Sequence, residues 1–294
     1  MRPYRITHTT HYRYNRPVEL GPQRLMLRPR DSHTIRLSST ALSVNPQPAE
    51  TRWLLDVYGN SVAVLSFAGQ AEELRIESRI ELEHYGLDDP DLVTAPFAQS
   101  WPFNYLPDEL PDLAPYRMRQ WSDPAGVLDR WVRQLFHGAD EVGTEQLLRT
   151  LSSTIKETLP YRARFEEGTQ GPLQTLAEGG TCRDFAALMM EALRSLGIAA
   201  RFVSGYLYSP ALDPEGGSGN ATTGAGATHA WVDVYLPGAG WVEFDPTNNL
   251  FGSSDLIRVC VARSPEQASP VSGSYVGAAD AALPMEVSVV VERL

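Results

Sequence analysis

Cys182, His229 and Asp245 supply a thiol, an imidazole and a carboxylate in that chain order, each in a setting that the local pattern defines. The run Gly179-Gly180-Thr181-Cys182-Arg183-Asp184-Phe185 opens a helix: Phe185, Leu188, Met189, Ala192, Leu193 and Leu196 recur at three- and four-residue steps until Gly197 stops them. Cys182 falls on the first turn, on the buried side. Thr181 is suited to the N-cap, and Asp184 three residues later resembles a capping box with a shorter acid in place of Glu or Gln. An N-cap hydroxyl accepts from the second or third helical amide, so Cys182, as the first helical residue, keeps an uncommitted N–H. That N–H can donate to a developing oxyanion. The positive helix end also favours a thiolate, which the nearby Asp184 opposes.

His229 begins a strand-like run to Leu236 in which Val232, Val234 and Leu236 alternate with bulkier or polar residues, and it shares a face with Trp231, Asp233 and Tyr235. After the turn-like Pro237-Gly238-Ala239-Gly240, a second strand runs from Trp241 to Asp245 and is closed by Pro246. A hairpin in even register puts His229 and Asp245 on one side, directly or diagonally across from each other; an odd register separates them. A free thiol has a pKa of about 8.5 and is mostly protonated at neutral pH, so thiol catalysis needs a neighbouring imidazole. A carboxylate then fixes the tautomer and orientation of the ring. In this reading Cys182 is the nucleophile, His229 the base and Asp245 the orienting acid.

The segment from Gly179 to Asp245 resembles a transglutaminase core, a thiol-acyltransferase fold distantly related to papain-like proteases. The likeness is carried by Gly180-Thr181-Cys182-Arg183-Asp184-Phe185-Ala186, Gly205-Tyr206, Thr228-His229-Ala230-Trp231 and Trp241-Val242-Glu243-Phe244-Asp245-Pro246-Thr247. It extends to a bacterial transglutaminase-like family with its own N-terminal β-domain, which the runs Arg5 to Tyr14, Leu27 to Arg30 and Asp56 to Asn60 resemble. The resemblance implies a papain-like core and the same triad of Cys182, His229 and Asp245. It implies cleavage or transfer at an amide bond of a peptide or protein through a thioester, with water or an amine as acceptor. Animal transglutaminases and papain-like proteases place a tryptophan directly after the nucleophile, whereas this chain has Arg183. That departure leaves thiol acyl chemistry in place but weakens protein cross-linking as the activity. A glutamine-directed transglutaminase and a non-catalytic scaffold remain the alternatives, and loss of a triad residue would favour the scaffold.

Composition sets the outer bounds. The 294 residues suffice for one large or two ordinary domains, and 43% hydrophobic with 21% charged residues is the balance of a soluble globular protein. A net charge of -11, without aromatic residues interleaved in a basic patch, argues against nucleic-acid binding. No stretch approaches the roughly 18 apolar residues of a membrane span, and no apolar signal core opens the chain, so no membrane partner and a reducing cytoplasm are expected. Two cysteines, Cys182 and Cys260, do not make a disulfide framework, and Cys260 reads as an inert strand thiol. No cofactor or metal is expected. The triad residues lack a Cys-x-x-Cys or His-x-x-x-His companion, and His8 and His11 on one strand project to opposite faces.

The elements that must position the triad are those of an α+β chain. Residues 1–85 alternate in short runs and read as an antiparallel β-sandwich domain; residues 86–123, rich in Pro and acids, read as a linker packed by Trp101, Phe103 and Tyr105. Residues 124–294 form the catalytic core, with helices at Leu128 to Phe136 and Leu147 to Leu159, then the Cys182 helix and the strands. The alternating tail from Leu256 either adds edge strands to the core sheet or reaches back to the N-terminal sheet. The glycine-rich run from Asp213 to Gly226 is either a connector or a lid over the acyl site. It lacks the lysine of a phosphate loop, so nucleotide binding has little support.

Overall fold

The computed structural model describes residues 1–164, 168–213 and 222–294. Five strands come first: β1 (Arg2–Arg28), β2 (Ile35–Asn45), β3 (Glu50–Leu55), β4 (Ser61–Ser66) and β5 (Gln70–His84). A short strand β6 (Ser100–Trp101) and helices α1 (Leu110–Arg117) and α2 (Val127–Leu135) follow. Next are β7 (Val142–Gly143), α3 (Thr144–Thr158), α4 (Pro172–Glu178) and α5 (Cys182–Ser195). The chain then runs through β8 (Ala200–Leu207), β9 (His229–Leu236), β10 (Gly240–Asp245), β11 (Leu250–Phe251), β12 (Leu256–Ala262), β13 (Val271–Val276) and β14 (Glu286–Arg293).

The N-terminal strands form one antiparallel sheet in the order β2-β5-β1-β4-β3, with β13 and β14 also paired to β1. The 27-residue β1 is what bends it. Its first half pairs with β5 and β14 and its second half with β13 and β4, with register shifts between Arg13 and Val18 and between Leu20 and Gln23. Bulges of this kind bend and twist a strand. The sheet therefore folds over itself, and the two packed layers expected from the alternation come from a single sheet. Leu25, Leu65, Leu74 and Ile76 lie in the enclosed core with Leu42 and Val44 against them.

The outer face of the first half is also apolar, because Tyr4, Ile6, Ile80 and Leu82 pack against Tyr206, Tyr208, Ile257 and Val259 of the second half of the chain. His8 sits in this joint, with Nδ1 and the Tyr206 hydroxyl 3.0 Å apart and Nε2 and Thr10 Oγ1 3.0 Å apart.

The core sheet has the order β11-β10-β9-β8-β12 and carries α5 on one face. Leu188, Met189, Ala192 and Leu193 of α5 meet Ala200, Phe202, Val232 and Val234. Residues from Asp184 to Arg194 are all buried, so α5 is enclosed on every side, by α1 to α4 as well as by the sheet. Both readings of the tail are realised, because β12 joins the core sheet beside β8 while β13 and β14 return to β1. The Pro-rich stretch holds a helix that periodicity did not show: α1 has proline in its first turn and again at Pro115. Proline is tolerated in a first helical turn.

Candidate active site

The site begins at Gly179, whose φ of +78° is a conformation other residues rarely adopt; an added Cβ would stand 2.0 Å from the Pro160 carbonyl oxygen. The chain then turns into α5. Asp184 Oδ2 accepts from the backbone N–H and the hydroxyl of Thr181, both at 2.8 Å, and the expected capping box is present. The same carboxylate accepts the Gln170 N–H at 2.9 Å and the Arg164 guanidinium at 2.8 Å. Burial pushes its pKa up, but Arg164 and these hydrogen bonds bring it below the ordinary carboxylate value. Asp184 is thus a charge already neutralised by its partners, which reduces its opposition to negative charge on Cys182. Cys182 is the first residue of α5 and 6% exposed.

His229 and Asp245 reach the site through the hairpin. Phe244 pairs with Val232 and Gly240 with Leu236, so the register is even. Continued by one pair, it sets Asp245 opposite Trp231 and diagonal to His229. His229 Nε2 lies 2.8 Å from Asp245 Oδ2. A carboxylate cannot donate, so Nε2 carries the proton, while Nδ1 is buried without a hydrogen-bond partner among the described residues and Cys182 is near enough to act on the charge of the ring. Burial pulls the His229 pKa down, but the Asp245 charge and then Cys182 raise it more, to about 10. An imidazolium beside a sulfur is the charge that stabilises a thiolate. Asp245 is fixed in turn: Oδ1 accepts the Thr247 N–H at 2.9 Å and Oδ2 accepts Asn248 Nδ2 at 2.8 Å. Burial raises its pKa, but the His229 charge and these donors bring the net value below the usual one.

The structure brings all three residues singled out from sequence together. Three further residues have no sequence signal of their own strong enough to find them. Asn248 ties Asp245 to the segment before β9, since its Nδ2 also donates to the Thr223 carbonyl at 3.1 Å. Gly224 lies over the imidazole: a Cβ there would be 2.8 Å from His229 Nδ1 and 3.7 Å from the Tyr161 hydroxyl, and its φ is +84°. Tyr161 stands beside Cys182, in the stretch after α3 where no periodicity marks it. Only the Asx-like spacing of Asn248 after Asp245 is visible in the sequence.

The glycine-rich run read as connector or lid lies partly outside the described residues, at positions 214–221. Its described end, from Thr222 to Gly226, covers the imidazole and is held at three points. Thr222 N–H donates to Ser209 Oγ at 3.0 Å, the Thr223 carbonyl accepts from Asn248, and the Gly226 carbonyl accepts the Val289 N–H of β14 at 3.1 Å. His229 is accordingly 1% exposed.

Cys260 is buried, and burial pushes its thiol up to about 12. Among the described residues no group of three or more His, Cys, Asp or Glu side chains is placed to hold a metal ion, and no helix is long and apolar enough to cross a membrane. His11 pairs with Glu73 at 2.9 Å.

Comparison with known proteins agrees with this architecture. Residues 4–83 match the bacterial transglutaminase-like N-terminal region and residues 130–246 match the transglutaminase-like superfamily core. An uncharacterized protein of Mycobacterium tuberculosis is 30% identical, over 98% of this chain and 92% of that one. The Bacillus subtilis protein YebA is 25% identical over 86% of this chain but only 32% of its own length. The structure of a Cytophaga hutchinsonii protein named "Putative Cysteine Protease" superposes with a TM-score of 0.69 at 18% identity, covering 99% of this chain and 90% of that one, and shows the shared fold. The chain belongs to the bacterial transglutaminase-like family, with an α+β transglutaminase-like fold.

Proposed function

We propose that the protein cleaves or transfers acyl groups at an amide bond of a peptide or protein, with Cys182 as nucleophile, His229 as base and acid, and Asp245 as the residue that orients His229. The observation that carries this reading is the division of labour on the imidazole: Nε2 is bound to Asp245, and Nδ1 is buried with no partner of its own among the described residues, which leaves it available to the thiol at the start of α5. In the reaction the Cys182 thiol gives its proton to His229 Nδ1, its sulfur bonds to the carbonyl carbon, and the carbonyl electrons move to oxygen. On collapse the leaving amine takes the proton from His229 Nδ1, and a thioester remains. Water or an amine, deprotonated by the same nitrogen, attacks the thioester and restores the thiol.

The test is to incubate the protein with a peptide library, with and without methylamine, and read products and enzyme by mass spectrometry. An acyl adduct on Cys182, with free acid or methylamide products, supports the reading. The ratio of the two products gives the acceptor. Absence of any adduct on Cys182 under conditions where iodoacetamide labels it removes acyl transfer and leaves the scaffold alternative.

A further inference from the structure

We propose that Tyr161 is the second oxyanion donor of this site, acting together with the Cys182 backbone N–H; the inference rests on the acyl-transfer reading above. Backbone pairing holds the tyrosine there. Gly180 N–H donates to the Pro160 carbonyl at 3.2 Å and Arg162 N–H to the Gly180 carbonyl at 2.9 Å, so Tyr161 is bridged in parallel to Gly180, two residues before the nucleophile. Its ring stands edge-on to Phe185, on the first turn of α5, with centroids 6.1 Å apart at 80°. The bridge and the ring contact set Tyr161 beside the first turn of α5, where the Cys182 N–H has no acceptor within its own helix. The Tyr161 hydroxyl is also 3.7 Å from the Cβ position at Gly224, which is itself 2.8 Å from His229 Nδ1. Amide, hydroxyl and imidazole converge on one small space.

In the proposed arrangement a substrate oxygen takes the Cys182 N–H as one donor and the phenol O–H as the other. When sulfur attacks a carbonyl carbon, the new C–S bond forms and the C=O π electrons pass to oxygen. That oxygen accepts from the Cys182 N–H, and the phenol O–H donates to it. No proton is transferred from the tyrosine; collapse re-forms the C=O bond and releases both donors. Burial pushes the phenol to about 12, with the Cys182 charge adding to the rise, so the donated proton stays in place at neutral pH. The neighbouring side-chain amides are already committed, Gln170 Nε2 to Thr175 Oγ1 and the Gly179 carbonyl, and Asn248 Nδ2 to Asp245 and Thr223.

The experiment compares two reactions of Cys182 in the full chain, parent against Tyr161→Phe. p-Nitrophenyl acetate acylates through a tetrahedral oxyanion, whereas iodoacetamide alkylates by displacement and forms none. Acylation is expected to fall about 100- to 1000-fold while alkylation stays within about threefold, the loss typical of one oxyanion-hole donor. Tyr161→Gln, which restores a donor, should recover part of the acylation. Equal acylation by parent and Tyr161→Phe overturns the tyrosine's role alone, and an equal fall in both reactions reduces it to packing. A parent that alkylates but never acylates overturns the acyl-transfer reading itself, and the tyrosine's role with it.

Discussion

Replacing Asp245 by Asn separates the orienting role proposed for this residue from its role in the fold. Two orientations are open to the new amide. With its oxygen toward His229, the NH2 group faces the Thr247 and Asn248 backbone N–H groups, which now donate to Oδ1 at 2.9 and 3.4 Å and cannot turn away. With its oxygen toward Thr247, the NH2 group faces His229 Nε2, which relieves the clash by giving up its proton and becoming an acceptor. The Asn248 amide, now donating at 2.8 Å, loses its acceptor. The second arrangement conflicts with one side chain rather than fixed backbone, so it prevails. It leaves the proton on Nδ1, where the ring cannot take one from Cys182. It also removes the largest of the influences that raise the His229 pKa to about 10. The expected loss in turnover is on the order of 1000- to 10,000-fold, about 4–5.5 kcal/mol of transition-state stabilisation. Stability should fall by about 1–3 kcal/mol for the unsatisfied Asn248 donor, a shift of a few degrees in melting temperature. The assay is p-nitrophenyl acetate hydrolysis with a thermal melt on the same sample. Turnover within tenfold of the parent would refute the orienting role, whatever the melt shows.

Three further outcomes are expected. Iodoacetamide should label Cys182 faster than Cys260, whose burial holds it at about 12, and peptide mapping after brief exposure at pH 7 decides it; preferential labelling of Cys260 contradicts an activated Cys182. Ser209→Ala removes one of the three ties on the segment over His229 without touching the triad, and should speed Cys182 labelling roughly two- to tenfold, the equivalent of one hydrogen bond; an unchanged rate means the segment does not control access. Stability should fall with acid through the joint between the two halves. Burial holds His8 at about 4, and burial likewise holds His84 at about 4, both below the ordinary 6.5, so the folded state binds fewer protons than the unfolded state between these values. Their contribution is therefore complete above pH 6.5 and lost as pH falls toward 4, on the order of 3 kcal/mol each at most. Urea midpoints at pH 7 and pH 5 measure it, and His8→Gln should flatten the slope; a parent midpoint unchanged between the two would refute the assignment.

The elements that carry Cys182, His229 and Asp245 were legible because each is written locally. The helix start at Cys182 follows from apolar spacing and a cap, and the His229 strand from alternation. Whether His229 meets Asp245 depended on hairpin register, which the residues from Pro237 to Gly240 left open and the pairing of Phe244 with Val232 decides. Tyr161 was not legible, because it reaches Cys182 by a backbone bridge between two irregular stretches. Glu191 and Arg194 lie off the apolar stripe of α5, yet both are buried as an ion pair at 3.3 Å, with Arg194 also donating to the Ala200 and Arg263 carbonyls. Helical spacing defines a face but not whether a second layer covers its opposite. The return of β13 and β14 to β1 was open for the same reason, since alternation specifies a strand and not its neighbour.

That return has a consequence for the order in which the molecule can be completed during synthesis. β1 is made well before β14, and one edge of its first half stays open until β14 follows the segment that carries Cys182, His229 and Asp245. The same β14, through Val289, holds the Gly226 carbonyl over the imidazole. A nascent chain that has already made Cys182, His229 and Asp245 therefore still lacks both the sheet edge and the tie over its reactive centre. A chain interrupted before Glu286 would present an open strand edge, a known template for aggregation, together with a less guarded thiol. Arrival of one late strand closes both at once.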